Sequence, residues 1–189
     1  MRWLQFRAAI NLPALLSRCD EKTIVSLAAA INGGLAIIVI GVFAWLTELP
    51  LVFPALGPSA FILFSAPFSP AAAPRSVVLG HLLGMACGWL CWFITSLFAA
   101  EPISLAGEGW APIASACAAL AMTAMLLIRF QCPHPPACAS ALVIALGGVT
   151  HWTAIGAMAV AVLIVTVQAV WLSRLFGVKT PLWRAHYSA

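Results

Sequence analysis

Charge is what this sequence has least of. Only 7% of its 189 residues are Asp, Glu, Lys or Arg, against roughly 25% in a soluble domain. Such a surface cannot face water all round. The five acidic residues all lie outside the middle of the long apolar runs. That argues against a carboxylate proton relay, and against a sodium or divalent-cation site built on acidic side chains. The nine basic residues are dispersed, with no run dense enough to grip nucleic acid. A cleavable leader is also missing: Arg7, Pro13 and Arg18 break the N-terminal stretch, and no small-residue cleavage site follows a clean apolar core. The haem-attachment pattern C-x-x-C-H is absent.

What is present is apolar. The hydrophobic fraction is 63% and the mean hydropathy is +1.06, so the hydrocarbon layer of a membrane is the expected solvent. Six apolar segments can be read: Ile24–Leu46, Leu49–Ala66, Ser76–Ala100, Trp110–Ile128, Pro135–Val149 and Trp152–Leu172. A spanning helix needs about 20 residues. The first, third, fourth and sixth satisfy this. The second carries Pro50, Pro54, Gly57 and Pro58, and the fifth opens with Pro135 and Pro136, so both are short and proline-broken.

Charge placement favours six crossings over four with two re-entrant hairpins. With six, every Lys and Arg falls on one side, which the positive-inside rule makes cytoplasmic, together with both termini. The expected fold is therefore all-α and polytopic, with six membrane segments arranged as two inverted three-helix halves, about 23–100 and 110–175. Residues 1–22 read as an interfacial amphipathic segment, with Trp3, Phe6 and Ile10 set against Arg2 and Arg7. Residues 176–189 read as a cytoplasmic tail. The two broken segments echo each other: Pro54 and Ser59 in PALGPSAFIL match Pro135 and Ser140 in PPACASALVI at the same spacing.

Non-helical backbone at membrane depth is tolerated only inside protein or beside a water-filled cavity. Pro58 and Pro135–Pro136 are good helix starts, because proline's missing N–H costs nothing in a first turn. Helix starts carry unpaired N–H groups and partial positive charge. Two of them approaching from opposite leaflets would make a site for an anion or an electron-rich group. The expected binding residues are Gly57, Pro58, Ser59, Ala60, His134, Pro135, Pro136 and Ser140. Asn32, Arg75 and His81 are the expected pathway residues. Each has a plainer reading: prolines that only kink helices, His81 satisfied by a helix neighbour, His134 in a solvated loop, and Arg75 as a topology marker. Glycines such as Gly33, Gly34, Gly80, Gly84, Gly88 and Gly156 would let helices approach closely.

HPPACASALVIALGG, at 134–148, resembles the signature of the HPP family of integral membrane proteins. FPALGPSAFILFSAPFSPAAAPRSVVLGHLLG, at 53–84, resembles that family's other motif, a G-x-S-A segment followed by Pro-Arg and Gly-His. Plant members are associated with nitrite transport across the chloroplast envelope. The resemblance therefore implies a transporter or channel for a small monovalent anion, with nitrite first, in a bacterial inner membrane. Family members commonly have glycines and a threonine after HPP, where this chain has Ala137, Cys138, Ala139 and Ser140.

No catalytic residue, resident metal or cofactor is expected. The expected partners are a small inorganic anion, the lipid bilayer and a second copy of the chain as a homodimer, with no nucleic acid. The alternative is a membrane-embedded metal- or thiol-dependent redox protein or sensor using Cys132, His134 and Cys138. A third reading is a structural subunit of a larger assembly.

Overall fold

A computed structural model describes residues 20–105, 109–175, 178 and 180–184. The expected amphipathic segment over residues 1–22 falls almost wholly outside them. The described residues form six α-helices: α1 (Glu21–Thr47), α2 (Leu56–Ser65), α3 (Pro74–Ser96), α4 (Trp110–Arg129), α5 (Pro136–Ala145) and α6 (Trp152–Leu175). α1, α3, α4 and α6 are long and apolar enough to cross a membrane, and α2 and α5 are shorter apolar helices. The outward surface is correspondingly apolar, with Trp45, Phe61, Phe98, Ile128 and Trp171 all exposed.

Local chemistry sets the boundaries. Asp20 caps α1 by accepting the Thr23 N–H at 3.2 Å. Glu48 ends it in the left-handed region at φ 56°. Pro50 and Pro54 then remove donors and push their predecessors out of the helical region, so α2 starts only at Leu56. That is two residues before Pro58, which sits inside the first turn, where a missing N–H is tolerated. Pro136 opens α5 as its first residue. Gly147, at φ 76°, turns the chain after α5, and a Cβ there would lie 2.1 Å from the Ile103 carbonyl oxygen.

Both short segments cross the bundle. The Arg75 guanidinium at the start of α3 donates to the Gln131 and Phe130 carbonyls at 2.9 Å each, so the start of α3 and the end of α4 share one face. Gly147 and Gly148, past α5, lie against Ile103 and Leu105 in the α3–α4 connection, on the opposite face. The chain from 130 to 148 therefore passes from one face to the other. Ile24 at the start of α1 clusters with Val178 and Phe68, and the Trp183 carbonyl accepts the Arg75 N–H at 3.0 Å. Hence α1 begins, and the segment through α2 ends, on the Arg75 face. A ten-residue helix spans only about 15 Å, so extended chain on either side supplies the rest of each crossing.

Contacts among the helices reveal the repeat. α1 packs on α2 and α4 on α5; α3 packs on α4 and α5, and α6 on α1 and α2. α3 also meets α6, and α2 meets α5. Exchanging α1, α2, α3 with α4, α5, α6 maps each of these pairings onto another or onto itself. Each half thus lends its third helix to the other, and α2 and α5 meet at the centre.

The two sides are packed unequally. Gly80, Gly84 and Gly88 of α3 lie against α5: added Cβ atoms would come 3.0 Å from His134 Cβ, 2.3 Å from the Ala137 carbonyl oxygen and 2.4 Å from the Ala141 carbonyl oxygen. By contrast, Cβ atoms at Gly33, Gly34 and Gly156 would meet nothing within 4 Å, so the close approach expected there does not occur. A groove of about 1040 Å³ runs between α1 and α2, past Gly33, Gly34, Ala60 and Phe61.

Candidate functional site

Four polar side chains are wholly buried where α2, α3 and the start of α5 meet: Ser59, His81, His134 and Ser140. Ser59 Oγ lies 2.9 Å from His81 Nε2 and 3.1 Å from His134 Nε2. It also lies 2.8 Å from the Ala55 carbonyl oxygen. Ser140 Oγ is 2.7 Å from His81 Nδ1. His134 Nδ1 is 2.8 Å from the Ala71 carbonyl oxygen. The two imidazoles stand edge to face with centroids 4.9 Å apart.

These contacts fix the proton positions of the neutral cluster. A carbonyl oxygen only accepts, so His134 Nδ1 carries its proton toward Ala71 and His134 Nε2 is an acceptor. The single Ser59 hydroxyl proton then goes to His134 Nε2 or to the Ala55 carbonyl. In either case His81 Nε2 must donate to Ser59, which leaves His81 Nδ1 to accept from Ser140. With the Ser59 proton on its His134 side the chain runs head to tail, Ser140 to His81, His81 to Ser59, Ser59 to His134 and His134 to Ala71; with that proton directed to the Ala55 carbonyl the chain ends at Ser59.

The matched serines of the two broken segments thus grip one ring from opposite nitrogens. Extending the same offset by one residue pairs Phe53 with His134, and these two flank His81 as well. The Phe53 ring stands perpendicular to His81 with centroids 6.2 Å apart. The quasi-symmetric frame around His81 is broken at this pair, apolar on one side and protonatable on the other.

Other expected residues fall elsewhere. Ala60 and Pro136 are buried beside the cluster, whereas Gly57, Pro58 and Pro135 are exposed. Asn32 bonds the Ala28 carbonyl on its own helix at 2.8 Å. Arg75 is held by the two carbonyls at the end of α4. Most of the N–H groups at the helix starts are absent or bonded within the chain. Pro58, Pro135 and Pro136 have none, Leu56 and Ser59 donate to Phe53 and Ala55, and Ala137 and Cys138 donate to His134 and Pro135. The groups that converge are side chains. The Ala55 and Ala71 carbonyls were invisible to sequence reading, because a backbone acceptor carries no residue signature.

Both nitrogens of His134 are engaged by protein partners, which weighs against its use as a metal ligand with Cys132 and Cys138. Among the described residues, no three His, Cys, Asp or Glu side chains are grouped to hold a metal ion.

The model of the HPP transmembrane region matches residues 20–181. The chain belongs to the HPP transmembrane family. No curated protein and no solved structure matches it. As an HPP protein it is a multi-pass membrane protein, and its signature now has a structural meaning. The His of His-Pro-Pro enters the buried cluster, and the second Pro opens α5. The Gly-His of the other motif supplies Gly80, which admits His134, and His81, the ring that both serines hold.

Proposed function

We propose that this HPP protein moves a small monovalent anion across the membrane, with nitrite as the leading substrate. The observation that carries the reading is the buried Ser59–His81–His134–Ser140 cluster. It is a compact polar centre at the meeting point of two repeats, inside a bundle with an apolar exterior. Intramembrane ionisable groups facing a bundle interior mark pathways rather than packing, and small-ion sites of repeat transporters lie where the repeats meet. The polar groups that converge there are two hydroxyls and two imidazoles rather than helix-start amides.

The basic face, with Lys22, Arg75, Arg129, Arg174 and Arg184, is the cytoplasmic one by the positive-inside rule. On this reading both ends of the chain are cytoplasmic and the membrane is a bacterial inner membrane; the positive-inside rule supports the orientation. The chain pairs with itself as a homodimer; cross-linking in mild detergent that yields only monomer would refute the pairing. A monovalent anion is easier to dehydrate than a divalent one, so sulfate is excluded. The test is nitrite uptake into proteoliposomes, with nitrate, formate, chloride and sulfate as competitors. Uptake above that of protein-free vesicles, competed by monovalent anions and not by sulfate, is the expected result. Uptake equal to empty vesicles for every anion would refute transport.

A further inference from the structure

Resting on this anion-transport reading, we propose that Ser140, His81, Ser59 and His134 form a one-ended proton store that takes up one proton with each anion. The argument lies in the hydrogen bonds. In the neutral chain every bridging proton points from Ser140 toward Ala71. A proton delivered to Ser140, from hydronium or from the conjugate acid of the anion, shifts each bridging proton by one link. Ser140 passes its own proton to His81 Nδ1, His81 Nε2 passes its proton to Ser59, and Ser59 passes its own to His134 Nε2.

The loaded state is a His134 imidazolium. Its Nδ1–H still donates to Ala71 and its Nε2–H donates to Ser59. Ser59 in turn donates to His81 Nε2, and His81 Nδ1–H donates to Ser140. Every contact within 3.1 Å that joins the neutral chain also joins the loaded one, with three links reversed and no heavy atom displaced, and in both states the Ala55 carbonyl competes for the Ser59 proton. One proton enters, one N–H bond is gained overall, and nothing is oxidised or reduced.

The Ala71 carbonyl closes the far end. If His134 released its Nδ1 proton there, a ring lone pair and a carbonyl lone pair would face each other at 2.8 Å. Protons therefore load and unload through Ser140 and do not run through the cluster. A store closed at one end couples protons to a substrate without leaking them.

The surroundings fit a counter-charge supplied by substrate. The titratable or charged groups nearest His134 are His81 on α3, Arg75 at the start of α3, Cys132 two residues before it and Cys138 on α5. None of these is a carboxylate that would hold a standing negative charge against an imidazolium. Asp20 and Glu48 bound α1, and Glu101 lies in the connection after α3. A buried cation without a counter-charge is costly, so the anion is what makes loading favourable. One proton and one monovalent anion together carry no net charge.

Proteoliposomes with independently set pH gradient and potassium–valinomycin potential test this. Nitrate is used beside nitrite, because the acid of nitrite also crosses bare lipid. Uptake should follow an inward proton gradient, change by less than twofold when the potential is inverted, and acidify the lumen with each anion. Without anion the vesicles should hold a pH gradient as well as empty ones. His134→Gln should lower gradient-driven uptake at least tenfold. Should that variant not fold, Ser59→Ala, which cuts the relay at its middle link, should have the same effect. Uptake driven by an inside-positive potential and indifferent to the pH gradient would overturn the store while leaving anion transport standing. So would a proton leak without anion. No uptake of either anion would refute the transport reading, and the store with it.

Discussion

His81 and His134 are two imidazoles a few ångströms apart with opposite resting tautomers, and the Ala71 carbonyl decides both. His134 is expected as the Nδ1–H form and His81 as the Nε2–H form. Nitrogen-15 NMR of histidine-labelled protein at neutral pH distinguishes the two; finding His134 as Nε2–H would break the chain at its anchor. The serines are unequal in the same way. Ser59 serves two rings and a carbonyl, whereas Ser140 serves one ring nitrogen in the cluster. Removing a buried group so that its partners go unpaired costs about 1–3 kcal/mol per group. Ser59→Ala should therefore destabilise more than Ser140→Ala, by about 1–2 kcal/mol on the same scale. Thermal unfolding in detergent measures the order, and equal losses would show that Ser59 is not the hub. An Asp at either position should abolish anion uptake by like-charge repulsion, while Asn should not.

Among the described helix glycines, only those of α3 lie in close contact with another helix. α3 lies on α5 through Gly84 and Gly88, where the carbonyls of Ala137 and Ala141 occupy the space a side chain would need. Those contacts are to backbone, which cannot turn aside. Gly84→Val should push α5 off α3 and separate Ser140 from His81, with an overpacking cost of about 1–3 kcal/mol. Gly156→Ala lies in open space on α6 and gains helix propensity, up to about 1 kcal/mol. Opposite signs of the shift in unfolding temperature are expected; a tolerated Gly84→Val would mean the helices stand farther apart. The two short helices owe their length to Pro50, Pro54, Pro135 and Pro136. Their sequences announced a break, but not that extended chain would complete each crossing.

For the whole molecule, the two faces of the bundle are distinguishable by labelling. Cysteines placed at positions 71 and 104 should react with membrane-impermeant reagent from opposite sides, position 104 in intact cells and position 71 in inverted vesicles. Reaction of both from one side would contradict the crossing of α3, and reaction of position 71 from the side opposite the start of α1 would contradict the crossing of α2. The exchange of third helices between halves also bears on transport. A movement of α3 carries His81 and, through Gly84 and Gly88, α5 of the other half. The proposed store and the repeat interface are therefore joined through α3.

Sequence alone determined the solvent, the six apolar segments and the side on which the cations fall. Those follow from residue type and spacing along the chain, and lipid enforces them locally. The Pro–Ser echo between the broken segments named Ser59 and Ser140, and the scarcity of ionisable residues near the membrane interior named His81 and His134. Sequence did not show that the N–H groups of Leu56, Ser59, Ala137 and Cys138 at the helix starts are bonded within the chain. Only the tertiary structure decided that the matched serines hold the same imidazole, that Arg75 is held by carbonyls at the end of α4, and that Gly84 rather than Gly33 or Gly156 permits close approach. It also supplied the Ala55 and Ala71 carbonyls. Which hydroxyl meets which nitrogen depends on how helices far apart in the chain are placed, to within a few tenths of an ångström. Apolar patterning specifies the faces that pack but not that register, because Leu, Ala and Val fill many registers about equally well.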